Sequence, residues 1–370
     1  MSASAAAPKH PGKVFLDPSE VKDHLTEYRI VDCRYNLKIK NYGSIEYAKE
    51  HVKGSIRADV DTNLSRVVPT SAARHPLPHC DEFIDWCMAN GMAGELPVLC
   101  YDDECGAMGG CRLWWMLNSL GAEAYVINGG IQACRDAGLE MESGEPSSAP
   151  TPATHWPYKR AFQHHYLVDE IPPHAIITDA RSADRFATTV RPYAADVMPS
   201  HIKGARNMPF DSNLVVRGNG KVLRSEEEIR HNFTTALQGA GDLTDLSSCV
   251  FSCGSGITAC INIALAHHLG LGHPYLYCGS WSEYSSLFRI PIMRSIIDDH
   301  GMFMQMQTPS FSDNPKANPV TMTLKVDGAL CDNPDAEVMS AAAHLHAGET
   351  ATVYFKSGRV ATIEVPASSK

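Results

Sequence analysis

Val250-Phe251-Ser252-Cys253-Gly254-Ser255-Gly256-Ile257-Thr258-Ala259-Cys260 sets a cysteine between two different hydrophobic patterns, and its reading decides the fold. Residues Ser248 to Ser252 read as the end of a buried strand, and Ala259 to Leu269, rich in Ala, Leu and Ile at helical spacing, read as a helix. Cys253 therefore falls on the turn between them. Gly254 and Gly256 let the backbone fold tightly there, so that successive amides turn inward on one anion while the helix dipole adds partial positive charge. Both effects favour a thiolate. A lone buried cysteine is more often an inert packing residue, but the flanking glycines favour the reactive reading.

Outward from this segment the chain repeats itself. Asp32-Cys33-Arg34 answers to Asp179-Ala180-Arg181, and His51-Val52-Lys53-Gly54 to His201-Ile202-Lys203-Gly204. Val98-Leu99-Cys100-Tyr101-Asp102 answers to Val250-Phe251-Ser252-Cys253, and Ile127-Asn128-Gly129-Gly130 to Tyr277-Cys278-Gly279-Ser280. All four offsets lie near 150 residues, which marks a duplicated domain. Within each copy, apolar runs such as Pro97 to Tyr101 and Ile176 to Asp179 alternate with helical stretches such as Leu113 to Leu120. That order predicts α/β units around a mostly parallel sheet with helices on both faces. Ser143 to Pro152 is rich in Pro and Ser and reads as an extended linker. After about Arg294 the repeat stops. Val320 to Val326 then reads as a strand, Pro334 to His346 as a helix, and Val353 to Phe355 with Val360 to Val365 as a hairpin. The expected layout is a first domain over 1–145, a linker over 146–163, a second domain over 164–300 and a small α+β extension over 301–370.

Composition narrows the function. The 370 residues are 44% hydrophobic and 20% charged, as in an ordinary globular protein, and the net charge of -10 argues against a nucleic-acid partner. No apolar run reaches the roughly 18 residues of a membrane helix, and no signal-peptide core opens the chain, so a cytoplasmic protein is expected. The 12 cysteines include no Cys-x-x-Cys pair and no zinc-like Cys/His spacing, which predicts reduced thiols, no metal and no cofactor.

The copies differ where Cys253 is answered by Asp102, followed by Asp103 and Glu104. These carboxylates are expected to repel an anionic substrate, or else to form a solvated acidic loop, so only the second copy is expected to be catalytic. Taken together, the paired Asp-x-Arg and His-x-x-Gly motifs, the loop from Cys253, and Gly279-Ser280-Trp281 resemble the rhodanese-like sulfurtransferases with two tandem domains, over roughly Val14 to Arg294. The loop Cys-Gly-Ser-Gly-Ile-Thr is similar to that of members using 3-mercaptopyruvate, and lacks the basic residues usual in thiosulfate-specific ones.

The resemblance implies a flavodoxin-like α/β domain in each half and sulfur transfer through a Cys253 persulfide. The donor would be 3-mercaptopyruvate, the product pyruvate, and the acceptor thioredoxin, a small thiol or cyanide. In the loop, the amides of Gly254, Gly256, Ile257 and Thr258 would stabilise the sulfur anion. Ser255 and Thr258 add hydroxyls, with helix capping as the plainer reading of Thr258. Arg185 and Arg191 stand where forked guanidinia would hold a carboxylate beside a carbonyl. From the first copy, Asp61, Arg74 and His75 fall where the family reaches the cleft, and Asp61, His75 and Ser255 are expected to form an acid–base relay. Asp59 and Asp61 serve equally well in a turn. The alternatives are a thiosulfate sulfurtransferase and a non-catalytic binding or redox-sensing module. A phosphatase loop would need arginine where Ala259 stands.

Overall fold

A computed structural model describes residues 8–66, 73–94, 96–146, 149–187, 201–239, 243–287, 294–298, 301–308, 320–326, 350–354 and 360–364. In the first copy the strands Phe15–Leu16, Ala124–Ile127, Val98–Tyr101, Arg29–Asp32 and Ile56–Arg57 lie side by side in that order, every pairing parallel. In the second copy His165–Tyr166, Tyr275–Tyr277, Val250–Ser252, Ile177–Asp179 and Arg206–Asn207 repeat the arrangement, again all parallel. The registers match as well: Asp32 pairs with Tyr101 and Asp179 with Ser252. Asp102 and Cys253, each one residue further on, are therefore structurally equivalent.

The paired motifs are scaffolding. Arg34 forks onto the buried Asp32 carboxylate at 2.7–3.1 Å, and Arg181 onto Asp179 at 2.6–3.0 Å. His51 and His201 each reach a backbone carbonyl at 2.8 Å through Nδ1, of Tyr47 and Phe186, and stack on the same residue's ring. Gly54 and Gly204 follow with φ of 74° and 80°, a left-handed turn that suits glycine.

The helix after each loop carries the join between the copies. Gly110–Leu120 packs on Val98–Tyr101 and Ala124–Ile127, Ala259–His268 packs on Val250–Ser252 and Tyr275–Tyr277, and the two helices pack on each other. Both are buried almost all round, which is why neither shows a polar stripe. A single apolar cluster runs through them, taking in Leu113, Trp114, Leu117, Ile261, Ala264 and Leu265. Among the described residues no helix is long and apolar enough to cross a membrane.

The segment between the copies has no helix or strand from 149 to 163, but it is not loose. Trp156 is buried in the same cluster, and the Ala153 and Lys159 amides bond the Met88 and Leu120 carbonyls. The C-terminal unit is a five-stranded antiparallel sheet in the order Arg294–Asp298, Gly301–Thr308, Val320–Val326, Val360–Glu364, Thr350–Tyr354. Its first strand begins before residue 301, where the extension was expected to start. The helix expected over Pro334 to His346 lies outside the described residues.

Candidate active site

Cys253 leaves the strand Val250–Ser252 and is only 1% exposed. The Gly256 N–H donates to its Sγ at 3.2 Å, and its own N–H donates to Ser280 Oγ at 3.0 Å. The loop's carbonyls are held away by three donors: Trp281 N–H on Cys253 O at 3.0 Å, Ser282 N–H on Gly254 O at 2.9 Å, and Arg112 Nη1 on Gly256 O at 3.0 Å. A trans peptide is planar, so each pinned carbonyl turns the next amide, of Gly254, Ser255 and Ile257, to the opposite side. That is how an anion-binding nest is built. Gly256 has φ of +76°, and a Cβ there would stand 2.4 Å from Cys278 O, so no other residue fits the turn. Thr258 sits at the N-cap of Ala259–His268, but its hydroxyl makes no capping bond and lines the cleft instead.

The first copy meets this loop. His75 Nδ1 lies 2.7 Å from Ser255 Oγ, and its Nε2 lies 3.3 Å from Asp61 Oδ1 and 3.3 Å from the Tyr35 hydroxyl. Tyr35 also donates to Asp61 at 3.2 Å. Asp59 makes the turn: its Oδ1 accepts from the Asp61 and Thr62 amides, leaving the Asp61 carboxylate for His75. Burial pulls the His75 pKa below its ordinary 6.5, with Arg74 and Arg112 adding to that and Asp61 opposing it. The hydrogen bond from His75 holds Asp61 below the usual carboxylate range.

A cleft of about 490 Å³ opens between the copies above Cys253. Arg74, His75 and Lys38 line it from the first copy, and Arg185, Gly254, Ser255, Ile257 and Thr258 from the second. Arg185 stands on the short helix Ala183–Phe186, just beyond the Asp179–Arg181 clamp, and the Arg74 N–H donates to Ser282 Oγ at 3.1 Å. Of the expected residues, Gly256 supports the loop and Asp61 backs His75 without lining the cleft, and Arg191 lies outside the described residues.

The silent loop differs from its expected form. Asp102 is fully buried, neither solvated nor facing a substrate. Its Oδ1 accepts from the Glu104 and Gly106 amides at 2.8 and 2.7 Å, and its Oδ2 from Met108, Gly109 and Gly110 at 2.9–3.2 Å. Five amides of the first copy's loop thus close on the chain's own carboxylate, where the second copy has Cys253 with the Gly256 amide on its sulfur. Asp103 and Glu104 do line the cleft. Burial, then the neighbouring Asp102, push Asp103 up to about 6, while Glu104 pairs with Lys221.

Three participants escape a sequence reading: Tyr35, Ser280 and Arg112. Tyr35 carries no signal in its surroundings. Ser280 lies in the Gly279-Ser280-Trp281 motif, which marks the position but not its bond to the Cys253 amide. Arg112 carries a signal of another kind, since it is the one charge in the apolar run from Gly109 to Leu120. It is fully buried, and besides Gly256 O it donates to the carbonyls of Leu64 and His75 at 3.2–3.3 Å.

Two equivalent α/β domains, one presenting a cysteine in an amide nest and the other closing a cleft over it, make up the architecture of a tandem-domain sulfurtransferase. A family model described as a rhodanese-like domain matches residues 17–137, and one described as a domain of unknown function matches 302–369. The chain is 33% identical over 273 residues to a probable 3-mercaptopyruvate sulfurtransferase of Pseudomonas aeruginosa, covering 71% of this chain and 91% of the relative. It is 31% identical over 276 residues to 3-mercaptopyruvate sulfurtransferase of Homo sapiens, covering 69% and 84%. Among solved structures, 3-mercaptopyruvate sulfurtransferase from Leishmania major is 82% identical, with a TM-score of 0.75 and coverage of 97% and 98%. The chain belongs to the rhodanese-like family of 3-mercaptopyruvate sulfurtransferases, with an added C-terminal domain.

Proposed function

We propose that Cys253 carries the transferred sulfur as a persulfide, and that the cleft takes 3-mercaptopyruvate as donor and a thiol or cyanide as acceptor. The observation that carries this reading is that Cys253 lines a mixed-charge cleft with the Gly256 amide on its sulfur. The thiolate attacks the donor's sulfur, forming an S–S bond as the C–S bond breaks. The C–S electron pair passes to the carbonyl as an enolate, which becomes pyruvate on taking a proton at carbon. Net, the proton of the donor thiol moves to carbon, leaving a persulfide anion that the amide nest stabilises. An acceptor thiolate then takes the outer sulfur, and the Cys253 thiolate leaves.

Ser255, His75 and Asp61 suit the proton's path. A neutral His75 accepts the Ser255 hydroxyl at Nδ1 and directs its Nε2 proton to Asp61, so Ser255 can give a proton to the enolate and regain one from the persulfide. Arg74 and Arg185 supply forked donors for the carboxylate. Small loop residues leave room at the sulfur, which suits a mercapto acid better than a bulkier dianion. Thioredoxin, a small thiol or cyanide is the expected acceptor. The unpaired thiols of all eleven described cysteines suit a reducing compartment, in keeping with a cytoplasmic placement.

Steady-state turnover tests the reading. Pyruvate release from 3-mercaptopyruvate is expected to exceed turnover of thiosulfate, and mass spectrometry is expected to find one added sulfur on Cys253 after donor alone. Cys253→Ser should abolish both. A preference for thiosulfate sinks the donor assignment, and an unmodified Cys253 sinks the persulfide.

A further inference from the structure

Arg112 has an unusual setting for a cation. It is fully buried on the helix Gly110–Leu120, and no carboxylate among the described residues pairs with it. Its bonds run to three carbonyl oxygens, and the Cys260 thiol lies against it. Burying a guanidinium without a counter-ion is expensive, and carbonyl dipoles offset only part of that. Such a charge persists where something nearby uses it.

Two of the three carbonyls belong to the reacting machinery. Nη2 holds the His75 carbonyl at 3.2 Å, and Nη1 holds Gly256 O at 3.0 Å. Gly256 is also the residue whose N–H reaches Cys253 Sγ, so the guanidinium stands one glycine away from the sulfur. The His75–Ser255 bond joins the two copies across 180 residues of chain. Arg112 fastens the backbone on both sides of that bond, at residue 75 and next to residue 255.

We propose that Arg112, a residue of the silent copy, is the positioning residue of the active one: it locks His75 in register with the Cys253 loop and supplies the fixed positive charge against which the sulfur anion forms. This rests on the reading of Cys253 as nucleophile and of His75 with Ser255 as its proton relay. Arg112 is not among the residues that line the cleft. Its charge acts through a low-dielectric interior, where screening is weak.

The test is the pH dependence of Cys253 alkylation by iodoacetamide, followed by mass spectrometry, alongside steady-state kinetics. In folded Arg112→Met the alkylation midpoint is expected to rise by about one pH unit, and kcat to fall about tenfold or more with KM within about twofold. Arg112→Lys keeps the charge but loses the fork. Its midpoint should stay within about 0.3 unit of wild type while kcat still falls. A folded Arg112→Met with the wild-type midpoint and kcat overturns the proposal. If that variant does not fold, Arg112→Lys decides: a lowered kcat at unchanged KM supports the lock, and an unchanged kcat overturns it. Cys253→Ser separates this from the underlying reading, because pyruvate release surviving in that variant defeats the nucleophile assignment whatever Arg112 does.

Discussion

At pH 7 the His75 imidazole is neutral, because burial outweighs the Asp61 carboxylate 3.3 Å from its ring. Neutrality is what the relay needs, since Nδ1 must be free to accept from Ser255. A histidine whose pKa is lowered in the folded protein binds a proton only below its ordinary 6.5, so activity should be flat through neutral pH and fall as pH drops beneath that value. Removing the carboxylate in Asp61→Asn takes away the influence that opposes burial, and should move this acid limb lower still. His75→Asn should lower kcat by about 100-fold with little change in KM. A pH profile of kcat for the three proteins checks all of this, and an unchanged rate in His75→Asn removes the residue from the reaction. Cys253 and Ser255 were legible because glycines around a strand-to-helix turn have a local meaning. Asp61 and His75 were reached only through family resemblance, since nothing within the chain near residue 75 speaks of residue 255.

At the scale of elements, one strand–loop–helix unit occurs twice with opposite contents. In the second copy the Gly256 amide reaches the Cys253 sulfur, and in the first five amides close on the Asp102 carboxylate. The equivalence of the two positions was readable from the repeat. What the aspartate does was not, because an acidic run of three residues has the composition of a solvated loop while only one of its carboxylates is turned inward. Asp102→Ala would leave five amides without their acceptor, three of them buried, so the first copy should lose at least about 3 kcal/mol of stability. Urea unfolding measures this, and a loss under about 1 kcal/mol would mean that water replaces the carboxylate without penalty. The linker teaches the same lesson. Its Pro/Ser content correctly forbids regular structure, but Trp156 anchors it to the core through a contact that composition does not encode.

In the whole molecule an apolar cluster runs across both copies, beside a second one within the first, and the seam between Gly110–Leu120 and Ala259–His268 sets how the cleft closes. Trp114 lies in that seam, 2% exposed, with His267 edge-on at 5.6 Å. Trp114→Ala should destabilise the protein by about 3–5 kcal/mol and lower activity even where the fold survives, because His75 and Ser255 come from opposite sides of the seam. Thermal melts with parallel turnover measurements check this, and full activity in a destabilised but folded variant would show that the cleft does not depend on the seam. By itself the sequence determined the duplication and the α/β class, and it singled out the turn that carries Cys253. Each of these is written in local periodicity, turn chemistry or a fixed offset. Only the tertiary structure decided that Asp102 fills its own loop, that Tyr35 joins Asp61 and His75, and that a buried arginine from the silent copy holds the active loop. Those facts depend on contacts between residues far apart in the chain, and on which way a peptide or a carboxylate turns.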